Sequence, residues 1–248
     1  MTGGIRAWRI YVLLFRWQLL RQRAFLPLLV MIQVALGVGV IYGFSFLVPH
    51  VTPTVALFFA TGAPTLSIIL IGLTVVPQET AQSRTDGRQT YLAALPVPRL
   101  APMLAEVSFW LLVQLPGTVI TLTLAALHFD VHLHVSPFIV PAVGLVALTS
   151  AAVGYALAVL MPPTVASQIA SFLSIVLLLF SPISFPLDRL PTVLQDIHRG
   201  LPVTYMADVV RGSLSGRYDV NKGLAFGVVS AYCVVGLTLA ARAASRRR

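Results

Sequence analysis

Six apolar runs dominate this 248-residue sequence, at 25–48, 54–76, 100–127, 136–161, 164–182 and 220–241. A helix rising about 1.5 Å per residue crosses the hydrocarbon core of a bilayer in about 20 residues, so each run is long enough, or nearly so, to span it. The fifth is the shortest. Residues 49–53 and 161–164 leave room only for tight turns, which makes helices one and two, and helices four and five, antiparallel neighbours. Apolar residues make up 57% of the chain and charged residues 10%, against about 45–50% and about 25% in soluble domains. The chain therefore reads as an all-α integral membrane protein with six transmembrane helices, built as one transmembrane domain over 1–248. Cys233, the single cysteine, lies in an apolar run, excludes an internal disulfide and reads as a packing residue.

The formal net charge is +9, but the basic residues sit at the ends of apolar runs rather than on a polar face with interleaved aromatics. That pattern points to membrane orientation and away from nucleic acid. With six spans, twelve of the seventeen basic residues fall on the face that carries both termini and segment 77–99. The positive-inside rule places that face in the cytoplasm. Residues 5–24 precede the first span and set Arg6, Arg9, Arg16 and Arg23 within an arc of about 100° on a helix. An amphipathic helix at the inner interface is expected, anchored in membrane lipid by Trp8 and Trp17.

Two polar stretches interrupt the spans. Segment 77–99, PQETAQSRTDGRQTYLAALPVPR, carries Glu79, Arg84, Asp86, Arg88 and Arg99 and reads as a cytoplasmic hinge. Segment 182–213 lies outside; Pro191 and Pro202 predict two short helices, one ending near Gly200 and one running to Arg211. Neither is long enough to span, and Phe185, Leu187, Leu190, Val193, Leu194 and Ile197 would dip them into the outer leaflet as a re-entrant lid. Gly39 with Gly43 and Gly223 with Gly227 have the spacing that lets membrane helices approach closely, and Pro64 and Pro116 are expected to kink their spans.

Chemistry-bearing residues are few. Glu106 is the one acid clearly inside a span; it lies near the inner interface, where an arginine partner or snorkelling would hold it. The HFDVHLH stretch offers Asp130, His132 and His134 as metal ligands or as a polar outer turn, with His128 beside them. Enzyme signatures fail on counting. Lys222 is the single lysine and stands outside any GxxxxGK[ST] loop, glutamates at 79 and 106 alone exclude HExxH, and GSLSG at 212–216 has its serines at the wrong offsets for GxSxG.

The segment from Ser181 to Gly212 resembles the signature of the permease subunits of type-2 ABC exporters, a Phe-Pro-Leu-acid-x-Leu-Pro run followed by a Pro-x-Thr-Tyr helix ending in Arg. Here those are Phe185, Pro186, Leu187, Asp188, Leu190 and Pro191, then Pro202, Thr204, Tyr205 and Arg211. The family usually places Asn before the second proline, where this chain has Leu201 and loses a helix cap. Segment 77–99 is similar to the family's coupling segment, with Glu79, Arg84, Asp86, Gly87, Arg88, Leu92, Pro96 and Val97 in its pattern.

The resemblance implies a pore-forming subunit in a bacterial inner membrane. It would be no enzyme by itself and would pair with a second copy or a related permease. ATP and Mg would be bound by separate ATP-binding ABC subunits that push on Glu79, Arg84, Asp86 and Arg88, and no cofactor would sit in this chain. It also implies a cavity lined by spans two and five, with Phe58, Phe59, Gln168, Ser171 and Phe172 as its substrate path, suited to export of an amphiphilic drug, antibiotic or lipid. The outer re-entrant segment would contribute Phe185, Pro186, Asp188, Pro191, Tyr205 and Arg211. A proton-coupled secondary carrier is the alternative; it needs ionisable groups at the midplane and usually a repeat relating two halves, and the sequence has neither. A membrane enzyme or scaffold would need clustered catalytic residues, which are missing.

Overall fold

The computed structural model of the chain describes residues 2–47, 52–95, 97–98, 100–131, 133–181, 183, 191–215 and 221–246. Among these residues the secondary structure is helical, with no strand, and six helices have the length and apolar character to cross a membrane. The all-α, six-span architecture expected from the apolar runs is the one observed.

Helix α1 (Thr2–Gln22) lies against α6 (Leu100–Phe129). Gln18 and Gln22 are buried on its inner face, and Tyr11 donates its hydroxyl to Ser108 Oγ at 3.0 Å. Trp8, Leu13, Trp17 and Leu20 are exposed on the outer face beside Arg9 and Arg16. Exposed aromatic and aliphatic side chains mixed with arginine suit the level of lipid headgroups, where a ring can sit half in apolar and half in wet surroundings.

Helices α2 (Leu26–Leu47) and α3 (Pro53–Leu70) follow. Thr52 caps α3 by accepting the Val55 amide at 3.4 Å, and Pro53 fills the first turn, where a missing N–H costs nothing. The expected boundary at residue 76 is not where this helix ends. A π turn over Ile71–Val75 joins α3 directly to α4 (Val76–Thr85), so one rod of thirty-three residues runs from Pro53 to Thr85, about 50 Å at 1.5 Å per residue. Pro77 explains the π turn. It has no N–H to give, and its ring would collide with the carbonyl four residues earlier; the wider turn, closed by the Val76 amide on the Ile71 carbonyl, accommodates both. Pro64 and Pro116, by contrast, lie inside α3 and α6 without breaking either helix.

The rod is the shaft of the bundle. Its spanning stretch is 89% buried inside the chain, against 22% for α2 and 17% for α8 (Pro163–Phe180). At the π turn it meets α7 (Ile139–Leu160) at close range. A Cβ on Gly154 would collide with the Gly72 carbonyl and one on Gly72 with Ser150, so only glycine permits this crossing. Gly39, Gly43 and Gly227 instead have open space where a Cβ would stand, so the two GxxxG pairs do not hold helices together within the chain.

The chain reverses after α4 at Asp86 and Gly87 into α5 (Arg88–Ala94), and at its other end it forms α9 (Thr192–Gly200), α10 (Pro202–Leu214) and α11 (Lys222–Arg246). Both short helices begin where Pro191 and Pro202 predict, and α10 continues three residues past Arg211. The last carbonyls of α10 are not left bare. Ser213 and Leu214 accept amides of Ser136 and His134, each at 3.0 Å, which satisfies groups that a helix end otherwise orphans.

His128 remains on α6, 4.5 Å from the Tyr42 ring centroid and 3.2 Å from Ser45 Oγ. Among the described residues no three His, Cys, Asp or Glu side chains gather for a metal; His132 lies outside them.

Candidate coupling site

Gln78, Glu79, Thr80 and Arg84 are buried or half-buried on α4, where polar groups call for partners. The partners come from four other elements. Gln78 Nε2 donates to Ser171 Oγ of α8 at 3.2 Å. Glu79 faces α1, accepting from Gln22 Nε2 at 3.3 Å and standing 3.9 Å from Arg21. Burial, with Arg88 close by, holds the Arg21 guanidinium below the ordinary arginine range. Thr80 donates to Glu106 Oε1 of α6 at 2.9 Å. Arg84 Nη1 donates to the carbonyls of Ala158 and Met161, at the end of α7 and the turn into α8. Successive positions on a helix point about 100° apart. Four residues within two turns thus touch α1, α6, α7 and α8.

Arg84 therefore serves as a C-terminal cap on α7, where a cation meets the negative end of the helix dipole and its unpaired carbonyls. Glu106, expected to be held by an arginine or by snorkelling, has Thr80 as its partner, and among the described residues no arginine nitrogen comes within 4 Å of its carboxylate.

Gly87, at φ 72°, makes the reversal that a side chain would resist. Gln82 Nε2 holds Asp86 Oδ1 at 2.7 Å across the turn. Of the four residues expected to meet an ATPase, Asp86 is exposed at this tip, while Glu79, Arg84 and Arg88 are half-buried and turned toward other helices. The tip also presents Thr85, Thr90 and Tyr91, the last 64% exposed. Tyr91 escaped the reading of the sequence because tyrosine beside a leucine and two alanines looks like packing; its place on a short, half-turned helix becomes visible only in the fold.

The other end of the rod carries a second knot. Arg211, 2% exposed, sits with its guanidinium 3.8 Å from the Phe58 ring centroid. Its Nε donates to Thr61 Oγ1 at 3.2 Å, Nη2 to the Ile183 carbonyl at 2.7 Å and Nη1 to Asp208 at 3.3 Å. Burial pushes the Asp208 carboxyl up despite that arginine. Leu201 gives α10 no side-chain cap. The end of α9 is held instead by hydroxyls of Thr204, Tyr205 and Tyr232, which donate to the His198, Arg199 and Gly200 carbonyls at 3.2, 3.1 and 2.6 Å. Pro191 precedes the first turn of α9; Phe185, Pro186 and Asp188 lie outside the described residues.

The residues expected along a substrate path fall into two groups. Phe58 and Phe59 are packed inside the chain, under Arg211 and against Phe129. Gln168, Ser171 and Phe172 are exposed on α8.

No curated protein matches this chain. A family model nevertheless matches the greater part of the chain, from α1 through α10. That model, described as ABC-2 type transporter, matches residues 10–214, and the chain belongs to this family of multi-pass membrane permeases, the non-catalytic components of ABC transporters that act with ATP-binding subunits.

Proposed function

We propose that the chain is the permease subunit of an ATP-driven exporter that moves an amphiphilic or hydrophobic small molecule, a drug, an antibiotic or a lipid, out of a bacterial cell. Both termini and the α4–α5 tip face the cytoplasm, and two ATP-binding subunits act there on a pair formed with a second copy or a related permease. The observation that carries this reading is the set of bonds from α4 to α1, α6, α7 and α8. A displacement of the tip reaches every one of those helices through a polar contact, which is what a subunit without its own phosphate-binding loop needs in order to use ATP bound elsewhere. The same rod carries Phe58 and Thr61 under Arg211, so the stroke continues to the re-entrant segment. An exposed α8 face bearing Gln168 and Phe172 supports a mixed polar and apolar path completed by the second permease.

The test is to extract the tagged chain gently from its native membrane. A P-loop ATPase subunit with vanadate-sensitive activity should co-purify, and the complex in vesicles should move an amphiphilic dye in an ATP-dependent way. A chain that comes out alone, with transport that follows a proton gradient and ignores ATP, would overturn the proposal.

A further inference from the structure

A cavity of about 620 Å³ opens at the α5 end between α1, α4, α5, α6 and α7. Sites for small molecules commonly enclose about 300–1,000 Å³, so its size suits a lipid head with its glycerol. Leu14 and Trp17 of α1 form one wall, and Trp17, 40% exposed, is shared between the cavity and the outer face of α1. Arg84, Arg88 and Glu106 form the polar side.

The three charged groups are not equivalent. Arg84 is committed to the α7 carbonyls and Glu106 to Thr80. Arg88 has only a long contact, 3.5 Å from Nη2 to the Glu79 carbonyl; its Nη1 is buried without a hydrogen-bond partner, and among the described residues no carboxylate lies within 4 Å. A buried guanidinium nitrogen with no acceptor is costly, and such a group in a native fold calls for an explanation. Among the described lining residues two arginines face one carboxyl group, which leaves an excess of positive charge that suits an anion.

We propose that this cavity binds the phosphodiester head of an anionic phospholipid, with Arg88 as its principal ligand and the glycerol against Leu14 and Trp17. The depth argues for a lipid over a soluble anion, because the cavity lies beneath a helix whose exposed Trp8, Trp17 and arginines suit headgroup level. Binding here needs no ATPase and no transport, so it stands independently of the exporter reading.

The test uses the delipidated full-length chain in detergent, titrated with phosphatidylglycerol or phosphatidylcholine and followed by native mass spectrometry. One phosphatidylglycerol per chain should be retained in preference to phosphatidylcholine. Arg88→Gln should lower its affinity about tenfold, as loss of one charge-assisted hydrogen bond does, whereas Arg16→Gln on the exposed face should leave it unchanged. Millimolar inorganic phosphate or glycerophosphate should not compete. Equal retention of both lipids, an unaltered Arg88→Gln, or competition by phosphate alone would each overturn the proposal. Should Arg88→Gln not fold, hydrogen exchange on the wild type decides: phosphatidylglycerol should protect amides over 88–95, and no protection would refute the site.

Discussion

Replacing Arg211 by Met removes a buried charge while keeping most of the side-chain volume, so the loss measures what the guanidinium holds. Among the described residues three acceptors lose their donor. The Ile183 carbonyl, held at 2.7 Å, has no alternative among the described contacts, Asp208 keeps a carboxylate that is 23% exposed, and Thr61 still donates its hydroxyl to Leu57 at 2.8 Å. Thr61 therefore suffers least. Breaking one partner of a buried ion pair costs about 3–5 kcal/mol, with the cation–π contact on Phe58 already contained in that range. For a chain of this size each kcal/mol moves the melting midpoint by about 2–4 °C, so a drop on the order of 10 °C is expected.

Cys233 provides the assay, because it is the single cysteine and is buried in α11. A thiol-reactive fluorogenic dye reports its exposure as the purified protein is heated. Arg211→Lys, which keeps the charge and loses the planar fork, should melt between the wild type and Arg211→Met. Adding Asp208→Asn to Arg211→Met should recover part of the loss, since no partly buried carboxylate then lacks its counter-ion. An Arg211→Met protein that melts within 2 °C of wild type would refute the idea that this arginine fastens α10 to the rod.

Further expectations concern other contacts. Arg84→Gln should weaken the tie between α4 and the α7–α8 turn, leaving ATP hydrolysis in the reconstituted complex while transport per ATP falls several-fold; an unchanged ratio would count against α4 as the transmitting element. Gly154→Ala should destabilise by about 1–3 kcal/mol through overpacking against the Gly72 carbonyl, whereas Gly144→Ala, with open space at that position, should be neutral or slightly stabilising. Melts of the two variants read this directly. Tyr232→Phe strips the Gly200 carbonyl of its 2.6 Å donor, and a net loss of about 1 kcal/mol should raise the rate of tryptic cleavage after Arg199 about fivefold; equal rates would show that α9 is held by other contacts.

The span pattern was legible because apolar length is a one-dimensional property, and α9 and α10 were legible because proline at a first turn is a local signal. The continuation of span two to Thr85 was not. Gln78, Glu79, Thr80 and Arg84 read as part of a cytoplasmic hinge, and what carries the helix on through them, polar partners in Ser171, Gln22, Glu106 and the Ala158 carbonyl, lies on other elements far along the chain. Nor was the burial of Arg211 legible, because the groups that receive it, Phe58 and Thr61, stand about 150 residues away in the chain. The coupling candidates were found from charge, but charge could not say which of them face outward.

The π turn at Ile71–Val75 amounts to one residue more than an α-helix would carry over the same stretch, and its consequence is a matter of phase. Each residue of a helix turns the chain by about 100°. Losing one residue there would not merely shorten the rod: it would swing all of α4 by about that angle and carry Gln78, Glu79, Thr80 and Arg84 away from the partners they now have. The extra residue therefore works as a keyway, fixing the angular setting between the half of the rod that lies under Arg211 and the half that ends in the Asp86–Gly87 tip.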